Sequence, residues 1–255
     1  TGDKSYSEVK NIPIGLIGGA NFTKDNQSVF FVQSTAQSAA DVYKLDLKSG
    51  KTEQWTASEL GEMQQSDMST PKFIEWKSFD NLTISGFHYP ASPKFTGKRP
   101  VLIIIHGGPE SQSLASFLGS NNYYTNEMGV SLIFPNVRGS SGFGKTFLAK
   151  DNGFLREDSV KDIGALLDWI ALQPDLDKDK IMIMGGSYGG YMSLATAYHY
   201  ADKLKCSVDI VGISNFNTFL KNTEEYRRDL RRVEYGDERE EKMAAFFEKM
   251  APLNN

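Results

Sequence analysis

Gly185-Gly186-Ser187-Tyr188-Gly189-Gly190, set between the apolar run Ile181-Met182-Ile183-Met184 and the segment Tyr191-Met192-Ser193-Leu194-Ala195, restricts this 255-residue chain more than any other stretch. It reads as strand, sharp turn and helix. A turn this tight holds its central serine in a strained backbone conformation. The strain is tolerated only where the residues two before and two after are very small, a need that Gly185 and Gly189 meet. A helix starting at the turn directs unpaired N–H groups toward the serine, where they stabilise developing negative charge. Ser187 is therefore the candidate nucleophile.

A chain that is 40% apolar and 24% charged can bury a substantial core. Its net charge of -4, with basic residues spread along the sequence, argues against a nucleic-acid or membrane-surface partner. No apolar run approaches the roughly 20 residues that span a bilayer, and no signal-peptide pattern opens the chain. A soluble protein is expected, with cytoplasm or periplasm left open. Cys206 is the single cysteine, which excludes an internal disulfide; flanked by Val208, Ile210 and Val211, it reads as a buried strand residue. The start at Thr1 and the end at Asn255 are expected to be those of a piece of a longer polypeptide.

The first 27 residues hold one apolar cluster, Ile12 to Ile17, broken by Pro13 and Gly15, which predicts at most a short edge strand. Phe30-Phe31-Val32, the alternation from Asp41 to Leu47, a Ser49-Gly50 turn and Thr52 to Trp55 predict short antiparallel strands. One such meander cannot bury both faces, so it fits a blade of a larger array such as a β-propeller. Residues 57–71 are polar and weakly patterned, and the boundary is placed there: residues 1–70 form a first segment and 71–255 a second. After Pro71 come strands at Phe73–Lys77 and Leu82–Tyr89. The aliphatic run Val101–Ile105 then reads as a strand buried on both faces of a parallel sheet. Val130–Pro135, Lys180–Met184 and Cys206–Val211 continue the series. Between them Val160, Ile163, Leu166, Leu167 and Ile170 recur at helical spacing. Alternating strand and helix predicts an α/β fold with a doubly wound, mostly parallel sheet, whose ligands bind at the carboxyl ends of the strands, where Ser187 falls.

Ile105 is followed by His106-Gly107-Gly108-Pro109-Glu110. In serine hydrolases a glycine-rich loop here donates one N–H to the oxyanion, and the residue after the nucleophile donates the other. Those donors would be Gly108 and Tyr188. Gly139 to Thr146 fits the phosphate-loop pattern, but such a loop should open a sustained helix, and the sequence breaks at Asp151-Asn152-Gly153. Arg227, Arg228, Arg231 and Arg232, interleaved with Glu224, Glu225, Asp229 and Glu234, read as a solvated, salt-bridged helix face. Tyr123-Tyr124 and Phe246-Phe247 read as packing residues. His88, His106 and His199 lie in separate elements without ligand spacing, so neither a metal nor any other cofactor is expected.

HGGPE at 106–110, NVRGSSGFG at 136–144, DSVKDIGALLDWI at 158–170 and GGSYGGYM at 185–192 together resemble the prolyl oligopeptidase family of serine peptidases, in particular its acylaminoacyl-peptidase-like branch. The resemblance implies an α/β-hydrolase fold preceded by a β-propeller, with residues 1–70 the remnant of its last blade and the connection. It implies Ser187 as nucleophile, Tyr188 and Gly108 as oxyanion donors, and His106 with Gly107 as support of the oxyanion loop. Prolyl oligopeptidases and dipeptidyl peptidases proper carry tyrosine where this chain has His106, a departure that favours the acylaminoacyl-peptidase-like branch. Peptide substrates are implied and a homo-oligomeric parent is left open, as is the choice between exopeptidase and endopeptidase.

In α/β-hydrolases the acid and the histidine follow the serine. The later histidine is His199, twelve residues on and about 18 Å along the helix axis, too far to act as base. The chain as it stands is therefore expected to lack a complete triad and not to turn over substrate, and its unpaired strand edges are expected to make it oligomeric or poorly soluble alone. Besides a peptidase, a carboxylesterase on the same fold and a catalytically silent interaction module remain open.

Overall fold

The computed structural model describes residues 8–10 and 12–255; residues 1–7 and 11 of the first segment lie outside the described residues. Two sheets divide the chain. Strands β1 (Leu16–Phe22), β2 (Ser28–Thr35), β3 (Ser38–Asp46) and β4 (Thr52–Gln54) form an antiparallel sheet in chain order. β1 is longer than the Ile12–Ile17 cluster predicts and starts near that cluster's end. A register shift between Gly18 and Asn21 lets it pass its glycines, and it lies exposed on the sheet's edge.

The second sheet contains β5 (Lys72–Lys77), β6 (Thr83–Tyr89), β7 (Arg99–Ile105), β8 (Ser131–Asn136), β9 (Leu176–Gly186) and β10 (Cys206–Ile210), in the order β10-β9-β7-β8-β6-β5. β10, β9, β7 and β8 run parallel, and β6 and β5 add antiparallel on one side. The period of two sorts the side chains. Val101, Ile103, Ile105, Ile133, Ile181 and Ile183 face the main core, while Leu102 and Leu132 turn to a smaller cluster with Tyr89, Leu118 and Val130.

Short α1 (Asn122–Asn126) lies before β8, and α2 (Lys145–Leu148) is a single turn after it. The main core is closed by α3 (Arg156–Ala171), whose Val160, Ile163, Leu166, Leu167 and Ile170 are buried as their spacing requires, and by α4 (Tyr188–His199). After β10 follow α5 (Phe216–Asn222), capped by the Asn215 side chain, α6 (Glu225–Tyr235), stopped by Gly236 at φ 110°, and α7 (Glu241–Met250). No helix among the described residues is long and apolar enough to cross a membrane.

Two expectations are corrected here. Cys206 is exposed, because among the described residues β10 pairs only with β9 and is an edge strand whose Val208 and Ile210 are also uncovered. Tyr123 is exposed on α1, whereas Phe247 is in the core and Phe246 packs partly against it.

Candidate active site

β9 ends at Gly186 and α4 begins at Tyr188, so a single residue makes the turn between them. That residue, Ser187, has φ 56° and ψ -118° and is exposed. Its N–H donates to the Ile210 carbonyl at 3.0 Å, anchoring the strained peptide on β10. A Cβ on Gly185 would overlap the Gly189 carbonyl, and one on Gly189 would overlap the Ile105 carbonyl, so both glycines are required by close backbone approach.

The loop after β7 lies directly against this turn. A Cβ on Gly107 would stand 3.2 Å from the Gly186 carbonyl oxygen and 3.5 Å from Ser187 Cβ. His106 and Gly107 hold the neighbouring peptide. His106 Nδ1 lies 2.7 Å from the Gly107 carbonyl, which can only accept, so the ring's proton is on Nδ1. Nε2 lies 3.0 Å from Ser140 Oγ, and burial lowers the ring's pKa, so it accepts the Ser140 hydroxyl as a neutral imidazole. The Gly107 carbonyl and the Gly108 N–H belong to one peptide plane, so fixing the first aims the second. Gly108 has φ 125°, and its N–H has no backbone acceptor among the described residues. Tyr188 is the first residue of α4, so its N–H is one of those left free by the helix. An exposed hydroxyl with two unpaired N–H groups on the adjoining segments is an arrangement for nucleophilic attack on a carbonyl and stabilisation of the oxyanion.

None of the three histidines serves Ser187. His88 is buried on β6, its Nε2 has no protein partner among the described residues, and burial pushes its pKa down to about 4. His106 is committed as described. His199 sits at the far end of α4, 3.0 Å from Glu157.

The family model for the prolyl oligopeptidase family matches residues 115–255. The chain belongs to the prolyl oligopeptidase family. Dipeptidyl aminopeptidase BIII of Pseudoxanthomonas mexicana is 30% identical over 240 residues, which is 90% of this chain and 32% of that protein. The human acylamino-acid-releasing enzyme is 26% identical over 135 residues, 53% of this chain and 18% of its own. The chain thus spans about a third or less of these relatives. Puromycin hydrolase superposes with a TM-score of 0.80 at 22% identity, over 90% of this chain and 35% of its own. A prolyl endopeptidase gives 0.83 at 18%, over 96% and 35%. At these identities the likeness is one of fold, and that fold is the α/β-hydrolase.

The structure does not support a phosphate site at the phosphate-loop pattern. α2 is too short to present a phosphate site, and a Cβ on Gly139 would overlap the Asp151 carboxylate, so an acidic side chain fills the loop's inner side. Ser140, within the pattern, is the residue that orders His106.

Sequence reasoning missed a buried cluster under the site. Arg156 is fully buried, paired with Asp151 at 2.5 Å and donating to the Glu234 carbonyl at 2.9 Å. The Tyr188 hydroxyl lies 2.8 Å from Ser159 Oγ and donates to Asp151 at 3.2 Å. Tyr235 Oη donates to the Gly108 carbonyl at 2.9 Å, and Arg231, read above as part of a solvated face, reaches the same carbonyl at 3.5 Å. One signal was present in the sequence. Arg156 precedes Val160 by four residues and so lies on the stripe that α3 buries.

Proposed function

We propose that this chain is the nucleophile-bearing part of a serine-type peptidase that cleaves oligopeptides or acyl-peptides through an acyl-enzyme on Ser187. Ser187 Oγ attacks the scissile carbonyl carbon and loses its proton to a base. The tetrahedral oxyanion accepts hydrogen bonds from the Gly108 and Tyr188 N–H groups, the amine leaves with the proton, and water releases the acyl group. The observation that carries this reading is Ser187 itself, exposed and strained between β9 and α4, with Gly107 so close beside it that an added Cβ would stand 3.5 Å from Ser187 Cβ. Peptide substrates are supported by the names of the relatives, and the acylaminoacyl-peptidase-like branch by His106 in the oxyanion loop. In this reading residues 71–255 belong to the hydrolase domain, and 1–70 to the last blade of a propeller and its connection. The antiparallel order β1-β2-β3-β4 supports the blade. The acid and base are assigned to parts of the whole protein that this chain, a third of its relatives' length, does not span.

The test is fluorophosphonate labelling of the full-length protein beside Ser187→Ala, with acylated amino-acid anilides and short aryl esters as substrates. Labelling and anilide turnover that both vanish in Ser187→Ala are expected, with much slower labelling of the 255-residue chain alone. Turnover of esters without anilides would assign a carboxylesterase instead, and anilide turnover retained by Ser187→Ala would remove Ser187 from the chemistry.

A further inference from the structure

Gly108 is a poor residue on which to mount a catalytic hydrogen-bond donor. With φ 125° and no side chain it has a wide choice of conformations, and an oxyanion donor works only if its direction is set before the reaction. The peptide on its N-terminal side is held by His106. The peptide on its C-terminal side is held from a different part of the chain, α6, whose last residue Tyr235 donates to the Gly108 carbonyl at 2.9 Å. Tyr235 is 1% exposed, so this bond is shielded from competing water.

The Tyr235 ring is in turn fixed against the other half of the site. The Arg156 guanidinium lies 4.8 Å from the Tyr235 ring centroid and 5.2 Å from that of Tyr188, and the two centroids are 6.3 Å apart. Arg156 is therefore a planar cation set against two phenol rings, the contact that guanidinium makes better than ammonium. One of those rings belongs to the residue whose N–H faces the oxyanion. The other holds the residue that carries the second N–H. Asp151 and the Glu234 carbonyl keep the guanidinium in place.

We propose that Arg156 and Tyr235 are positioning residues for the oxyanion hole: Arg156 locks the Tyr188 and Tyr235 rings into one unit, and Tyr235 Oη sets the direction of the Gly108 peptide against it. This rests on the assignment of Ser187, Gly108 and Tyr188 made above. Neither residue touches substrate in this role. They act on the transition state because the spacing of the two donors matters most when the oxyanion forms.

The test uses the full-length protein with Tyr235→Phe, which removes one oxygen and keeps the ring against Arg156, and with Arg156→Lys, which keeps the charge opposite Asp151 and loses the planar contact. Each is measured for kcat and KM on a peptide anilide, for affinity toward a peptide aldehyde that forms a tetrahedral adduct, and for thermal midpoint, with Ser187→Ala as control. A fall in kcat on the order of 10- to 100-fold is expected, with KM within about twofold and aldehyde affinity falling by the same factor as kcat/KM. A merely structural role would lower the thermal midpoint without that parallel loss. Wild-type kcat and aldehyde affinity in either folded variant would overturn the proposal while an inactive Ser187→Ala left the site assignment standing. Turnover retained by Ser187→Ala would instead remove the site assignment, and the proposal with it.

Discussion

Two buried arginines flank α3, and the fold treats them differently. Arg138, just after β8, is saturated. It forms a fork with Asp162 at 2.8–3.1 Å, a second with Asp80 at 3.0 Å, and its own N–H also donates to Asp162 at 2.9 Å. Asp162 accepts Ser78 Oγ in addition, and none of the polar atoms of this group is left without a partner. Arg156, at the start of α3, has one carboxylate, one carbonyl and two ring faces, while its Nε, Asp151 Oδ1 and Glu234 Oε1 find no protein partner among the described residues. Buried polar groups are normally paired, and the exceptions call for a reason. The saturated cluster joins the β5–β6 turn, the end of β8 and α3, where only the fold is at stake. The unsaturated one holds Tyr188, next to Ser187, and Tyr235, which donates to the Gly108 carbonyl, where in the proposed reading donors must also be aimed.

The largest expected effect tests this contrast directly. Asp162→Asn leaves Arg138 its second fork, to Asp80, and should lower the unfolding free energy in urea titrations by less than half of the ~3–5 kcal/mol that leaving a buried charge without a partner costs. Asp151→Asn removes the one carboxylate paired with the fully buried Arg156 and should lower it by the full ~3–5 kcal/mol, the Glu234 carbonyl and the two rings offering no counter-charge. Equal losses would break the comparison.

A smaller effect concerns pH. Glu234 is buried, and burial raises its carboxyl from 4.5 to about 7 against the attraction of Arg156 and Arg231, with Glu110 and Asp151 adding repulsion. The folded carboxyl keeps its proton where the unfolded one has lost it. Stability from this group is therefore complete below pH 4.5 and declines as pH rises through 7, by up to about 3 kcal/mol. Glu234→Gln should flatten that decline and leave the variant more stable than the wild type at pH 8. An unchanged slope would show that Glu234 is ionised in the fold and that its cluster is better satisfied than the geometry indicates.

What could be read from the sequence follows the same division. Val101–Ile105 and Ile181–Met184 declared themselves because strands of a parallel core are continuous aliphatic runs. The α3 face did so because its five apolar positions share one stripe. The tight turn at Ser187 and the glycine loop packed beside it were legible because a tight turn and a close backbone approach leave a local trace of glycine. Cys206 misled because a strand's composition does not say whether a second neighbour covers it. The Arg156 cluster was not legible as a unit, since Asp151, Arg156, Tyr188 and Glu234 to Tyr235 come from four separate stretches and no spacing rule relates them. Only the fold brings Tyr235 to Gly108.

The smallest expected effect is none, and it separates a pattern from a site. Gly139 to Thr146 spells a phosphate loop, and such a loop binds by turning several backbone N–H groups and a helix N-terminus onto the anion. Here the first three N–H groups of the stretch are already occupied. Gly139 N–H donates to Phe147, Ser140 N–H to Val137 and Ser141 N–H to Ser111. The space beside Gly139 is filled by Asp151, the carboxylate of the unsaturated cluster, which would repel a phosphate. A ligand present at 100 times its dissociation constant stabilises a protein by about 2.7 kcal/mol, which moves the melting midpoint of a chain this size by several degrees. Magnesium with millimolar ATP is expected to leave the midpoint unchanged. A rise that Lys145→Ala abolishes would mean that Asp151 leaves Gly139 when nucleotide is offered, and with it the Arg156 anchor on which the contrast between the two clusters depends.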